Sequence, residues 1–321
     1  MPRLALPLVA LLSACSPEFG LQGIEPRNHD PAEDTAAPVE DEPTAEGTPP
    51  AEEEEEEEET PPATEEEEEE ETPVEEEPAP EDDCTETDDL VYVISRDDNG
   101  LYLFDPEALR FESLGRLSCS GAGGATPGSM AVGRDGMAWV RMSDDSLYQV
   151  DLETLACSRT SFRLPSGFDS FGMGFATEHA DTWRDHLFVA DARSLGLLDT
   201  TSLAIEPVGG MASQSELTGN ADGELWAFLP LESPAALVQL DQDDGRELDR
   251  IRLTTFPPAS DIDTFAFATW GGDFWLFVRT YGMGNTTDVY RVTTSGTMTR
   301  ELVDVGFDVV GAGVSTCAPT E

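Results

Sequence analysis

After residue 84 one short phrase recurs five times: LYLFD (101–105), LYQVD (147–151), LGLLD (195–199), LVQLD (237–241) and VYRVT (289–293). Successive starts lie 46, 48, 42 and 52 residues apart. A repeat at a nearly fixed period constrains the fold more than any local motif, because every unit must adopt one supersecondary structure and bury its apolar face on its neighbours. Ahead of each phrase stands a second apolar run: VYVI (91–94), AWV (138–140), LFVA (187–190), LWAF (225–228) and FWLFV (274–278). A weaker run follows, such as SRTSFRL (158–164) or ELDRIRL (247–253). Short aromatic and β-branched runs with turn residues between them read as strands, and Asp98-Asn99-Gly100 between two of them reads as a hairpin.

Several strands per unit of about 45 residues describe a β-propeller blade, and five copies predict an all-β, five-bladed propeller. A sixth, irregular blade would have to lie in 166–186 or 254–272. Each blade also needs an innermost strand. Asp169–Thr177, Asp261–Thr269 and Asp308–Thr316 align without gaps and supply three. The first blade has no such strand before VYVI, so Val309–Val314 from the C-terminus is expected to provide it and close the ring. Gly172, Gly174, Ala266, Gly311 and Gly313 suit the crowded axis where inner strands converge.

The L-Y-x-Φ-D phrase, followed by a small hairpin and Leu, resembles the quinoprotein-like and YVTN-type propellers over nearly all of residues 88–317. The resemblance implies fold and not chemistry, since the matching residues report blade packing.

Residues 1–83 differ in kind. The opening MPRLALPLVALLSAC carries one Arg, an apolar core too short to span a bilayer as a helix, and small residues before Cys15. Leu12-Ser13-Ala14-Cys15 resembles the lipobox of bacterial lipoprotein signal peptides. The resemblance implies removal of 1–14, acylation of Cys15 and a membrane anchor made of lipid. Ser16 after the Cys resembles the outer-membrane sorting pattern of two-membrane bacteria, which implies a lipid-anchored envelope protein. From Ser16 to Asp83, Pro, Glu, Thr and Ala dominate, with Glu runs at 52–59 and 65–71. Such a segment lacks the apolar surface to offset chain entropy and is expected to be a disordered tether, reaching between about 45 Å and roughly 220 Å. The folded domain is then 84–321.

Four cysteines remain beside Cys15, an even number in an exported chain, and three pairings are possible. Ring closure selects Cys84 with Cys317, leaving Cys119 with Cys157.

Charge narrows the partners. Of the formal −50, residues 1–83 hold 30 acidic and 2 basic side chains, leaving 37 and 15 for the rest. Both parts are acidic and repel nucleic acid. Catalytic motifs are missing: there is no CxxC, no HExxH, no Ser elbow and no phosphate-cradling Gly loop, and His179 and His186 read as loop residues. One constellation remains. Asp169, Asp261 and Asp308 share a register at the entry of inner strands, and hairpins carrying Asp97, Asp98, Asp144 and Asp145 are expected on the same face. Convergent carboxylates there would suit Ca²⁺, or a glycan-acting hydrolase using Asp169, Asp261 and Asp308. The leading expectation is a monomeric, non-enzymatic, cofactor-free binding module for a protein or glycan. The hydrolase is the alternative.

Overall fold

The computed structural model describes Cys84 and residues 90–180, 182–282 and 286–321. The expected signal peptide (1–14), the expected acylation site Cys15 and the expected tether (16–83) lie outside the described residues. Among those described, no helix is long and apolar enough to cross a membrane.

Among the described residues, twenty strands form five four-stranded antiparallel sheets. The first sheet contains β1 (Val91–Ser95), β2 (Gly100–Asp105) and β3 (Arg110–Arg116). The second is β4 (Pro127–Val132), β5 (Met137–Met142), β6 (Leu147–Asp151) and β7 (Cys157–Arg159). The third is β8 (Gly172–Thr177), β9 (Asp185–Ala190), β10 (Ser194–Leu198) and β11 (Ile205–Gly210). The fourth is β12 (Glu216–Gly219), β13 (Leu225–Leu229), β14 (Ala235–Leu240) and β15 (Glu247–Leu253). The fifth is β16 (Ile262–Trp270), β17 (Asp273–Thr280), β18 (Asp288–Thr293) and β19 (Met298–Leu302). The last strand, β20 (Val309–Gly313), joins the first sheet in the order β20-β1-β2-β3. The expected closure is therefore present, and the described residues form five blades. Cys84 and Cys317 form a disulfide across that seam, with Cα atoms 5.6 Å apart. Cys119 bonds Cys157 within the second blade region.

Inner strands β20, β4, β8, β12 and β16 neighbour one another in that order, and β16 returns to β20. Five apolar clusters fill the spaces between adjacent blades. The recurring phrase is the third strand of each blade: its Leu101 and Phe104 are buried, as are Leu147 and Val150 in the second copy. Its terminal Asp has a separate task. Asp105, Asp151, Asp199 and Asp241 each accept a backbone N–H from the following turn. Four positions later the chain turns left-handed, at Leu109, Leu155, Leu203 and Gly245. Thus the phrase and the Leu behind it encode the outer hairpin of the first three blades; Gly245 takes the left-handed position in the fourth, and in the fifth Thr293 accepts from the Thr297 N–H.

Close approach explains the small inner residues. An added Cβ on Gly172 would lie 2.2 Å from the Ser215 carbonyl oxygen, and one on Gly311 would lie 2.8 Å from the Met130 nitrogen. The sequence alignment needs one correction. Gly172 pairs with Ala190 and Gly311 with Ile94, but the corresponding partner in the fifth blade, Phe277, pairs with Ala266 rather than Thr264. The fifth inner strand is slipped by two residues, so Asp263 replaces Asp261 beside Asp308.

Candidate functional site at the channel mouth

Five blades converge where the inner strands begin, around a cavity of about 340 Å³ that includes Pro127, Ser170, Gln214, Thr264 and Val310, one residue from each inner-strand region. Two equivalent arginines organise it: Arg96 follows β1, and Arg279 lies near the end of β17. Arg96 reaches Asp308 at 2.5 Å and Asp263 at 3.6 Å, while Arg279 reaches the same carboxylates at 2.8 and 3.1 Å. The Asp308 side chain is wholly buried, and its Oδ1 accepts the Thr264 hydroxyl at 2.6 Å. A buried charge is tolerable only when paired and hydrogen-bonded in this way.

Across the mouth, Arg141 of β5 donates to the Phe171 carbonyl at 2.7 Å, to the Met142 carbonyl at 3.2 Å and to Asp145 Oδ1 at 3.4 Å. Ser170 also donates to Asp145 Oδ1, at 2.6 Å, linking the second and third blades. Below them lies Glu216, 5% exposed, which accepts the Ser129 hydroxyl at 2.7 Å from across the channel. Burial pushes its carboxyl up to about 8, against the lowering effects of Ser129, the Arg141 charge and the Met173 backbone.

The aspartates singled out from the sequence divide between roles. Asp308 is the buried centre of the ion-pair network. Asp97 accepts the Asp308 N–H at 3.2 Å, so its hairpin does sit at this mouth. Asp98 organises the same turn, accepting from the Gly100 N–H at 2.9 Å and the Tyr102 hydroxyl at 3.2 Å. Asp145 ties blades together, whereas Asp144 caps its own turn, where the Ser146 hydroxyl and N–H hold its carboxyl below the usual range. Asp169 points to solvent and pairs with exposed Arg193 at 2.7 Å. Asp261 ends an exposed 3-10 turn (Ala259–Asp261) and accepts from Ser260. The structure therefore brings Asp97, Asp145 and Asp308 to the mouth without gathering Asp169, Asp261 and Asp308 into one cluster. Among the described residues no group of three or more His, Cys, Asp or Glu side chains is placed to hold a metal ion.

Sequence reading passed over Arg96, Arg141, Glu216, Asp263 and Arg279. Asp263 was detectable in principle, because DIDTFAFAT carries two aspartates of equal parity and either register keeps the same face inward. His186 is the second residue of β9 rather than a loop residue, while His179 lies in the loop before it.

No protein-family model matches the chain, and no curated protein matches it either. Solved structures similar to it include the extracellular domain of a hybrid two-component system from B. thetaiotaomicron, at 9% identity and a TM-score of 0.37, covering 67% of this chain and 26% of that one. A structural-genomics protein of unknown function from Bacteroides thetaiotaomicron is 13% identical with a TM-score of 0.41, covering 66% and 55%. Dihydro-heme d1 dehydrogenase NirN is 14% identical with a TM-score of 0.31, covering 70% and 45%. The chain thus spans between about a quarter and just over half of the length of these proteins. At such scores the assignment rests on the strand pairing itself: the chain is a five-bladed β-propeller with a polar, charge-compensated mouth.

Proposed function

We propose that this protein is a lipid-anchored envelope protein whose propeller is a binding module rather than an enzyme, with its partner docking at the channel mouth. The observation that carries the binding reading is the engagement of the mouth carboxylates. Asp308 has one oxygen bonded to Thr264 and the other shared by Arg96 and Arg279, and Asp263 is held by the same two arginines. A nucleophile or general base needs an oxygen free to reach substrate. A docking surface needs fixed, desolvated charges, and this mouth supplies both signs in a locked arrangement. A protein surface carrying charges of both signs suits it better than a polyanion.

The anchor rests on the lipobox resemblance at Leu12–Cys15, and Ser16 favours the outer membrane of a two-membrane bacterium. The Glu-rich tether would then hold the propeller off that membrane. The expected outcome for the full precursor is radiolabelled palmitate on the wild-type chain and recovery with membranes. Cys15→Ala should abolish both; an unlabelled, soluble wild-type chain would contradict the anchor.

A second reading, a glycan-acting hydrolase, is favoured by Glu216. A carboxyl held neutral near pH 7 beside an open mouth has the protonation state a general acid requires. In that reading Asp263 is the second carboxylate of the pair. Reducing sugar released from a panel of glycans, and lost in Glu216→Gln, would favour this reading over the first.

A further inference from the structure

We propose that the opposite end of the propeller carries a binding site for a neutral carbohydrate, built on Trp183 and the Arg134–Asp185 pair. This site is distinct from the mouth and does not depend on docking there. Arg134 follows β4, and Asp185 opens β9. The guanidinium meets both Asp185 oxygens at 3.0 Å and donates to Thr316 Oγ1 at 2.7 Å. The Thr316 and Thr177 hydroxyls donate to Asp185 at 2.7 and 3.1 Å, so residues ending two inner-strand segments fix this pair. Arg134 also lies 5.3 Å from the centroid of the Trp183 ring, which holds the indole at the loop before β9 while 43% of its surface stays exposed.

Two further observations point to a ligand. Arg134 Nη1 is buried and has no hydrogen-bond partner, and an unmade bond at a charged donor is costly. Arg134 and Trp183 also line a cleft of about 240 Å³ together with Trp139, Gln149, Asp135 and Thr200. An indole beside hydrogen-bonding groups matches a pyranose, which offers C–H groups on one face and hydroxyls at its edge. The apolar sugar face would lie on Trp183. A hydroxyl oxygen would accept from Arg134 Nη1, and other hydroxyls would meet Asp135 and Gln149.

Charge selects the class of sugar. Asp185 neutralises Arg134, leaving Asp135 as the uncompensated group in the cleft, on a domain that is itself acidic. Anionic glycans are disfavoured, and a neutral chain is accepted.

Isothermal titration of the full chain with gluco-, xylo- and manno-hexaoses, and with polygalacturonate, tests the proposal. At least one neutral hexaose should bind saturably. Trp183→Ala should weaken that binding at least tenfold with an unchanged melting temperature, and Trp183→Phe should retain part of it. Tyr281→Ala, which removes another exposed ring, should leave it unchanged. Absence of binding to every neutral hexaose, preference for polygalacturonate, unchanged affinity in Trp183→Ala or loss in Tyr281→Ala would each overturn the proposal.

Discussion

Glu216 owes its state to its neighbours' size. Gly311, Ser129, Gly172 and Ala266 occupy its level in the other four blades, and an added Cβ on Gly172 would meet Glu216 Cα at 2.8 Å. Four small residues leave one carboxyl room to cross the channel, away from water. Its raised pKa has a definite thermodynamic sign. Between the unfolded value, about 4.3, and the folded value of about 8, the folded protein holds a proton that the unfolded chain has lost. The Glu216 contribution is therefore fully present at low pH and declines as pH rises to about 8. Glu216→Gln should melt near wild type at pH 5 and at higher temperature than wild type at pH 9; a constant difference across that range would contradict the assignment. Asp151 and Asp199 act in the opposite sense. Backbone N–H groups of Thr154 and Ser202 lower their carboxyls, so their contribution is present above the unfolded value and lost as pH falls. The aspartates were legible in the sequence because they recur; Glu216 in SQSELTG occurs once, and nothing local marks it as facing an axis.

Among the elements, third strands were the easiest to read and inner strands the hardest. A third strand carries a phrase set by two constraints at once, blade packing and the Asp-capped turn behind it, so its copies stay alike. Inner strands are constrained chiefly by close approach, which small residues of several kinds satisfy. Pro127–Val132 and Glu216–Gly219 consequently share no phrase with Gly172–Thr177, and DIDTFAFAT fits either of two registers. The close approach itself is testable. Gly172→Ala places a methyl against backbone of β12 and its preceding residue, which cannot rotate away, and should destabilise by about 3 kcal/mol in urea melts. Gly210→Ala, where the nearest atom is 3.7 Å away, should cost far less. Equal effects would refute axial crowding as the reason for glycine at 172.

For the molecule as a whole, closure is where chain ends and chemistry meet. β20 completes the first blade, Cys317 just beyond it bonds Cys84, and Asp308 just before it anchors the arginine network. A crosslink across so long a loop removes unfolded-state freedom worth about 5 kcal/mol in the chain-entropy model. The ring was legible because the first repeat lacked an inner strand and the C-terminus had a spare one. The mouth was not, because its arginines stand at strand ends in different blades and only the closed ring brings them together. The most direct test of docking there is photo-crosslinking in intact cells from position 143, an exposed residue on the mouth rim, with and without Gln214→Trp to obstruct the cavity from the fourth blade. Docking at the mouth should give a discrete adduct with an envelope protein that disappears when position 214 is obstructed. An adduct indifferent to that obstruction, or no adduct together with Glu216-dependent release of sugar from a glycan, would contradict it.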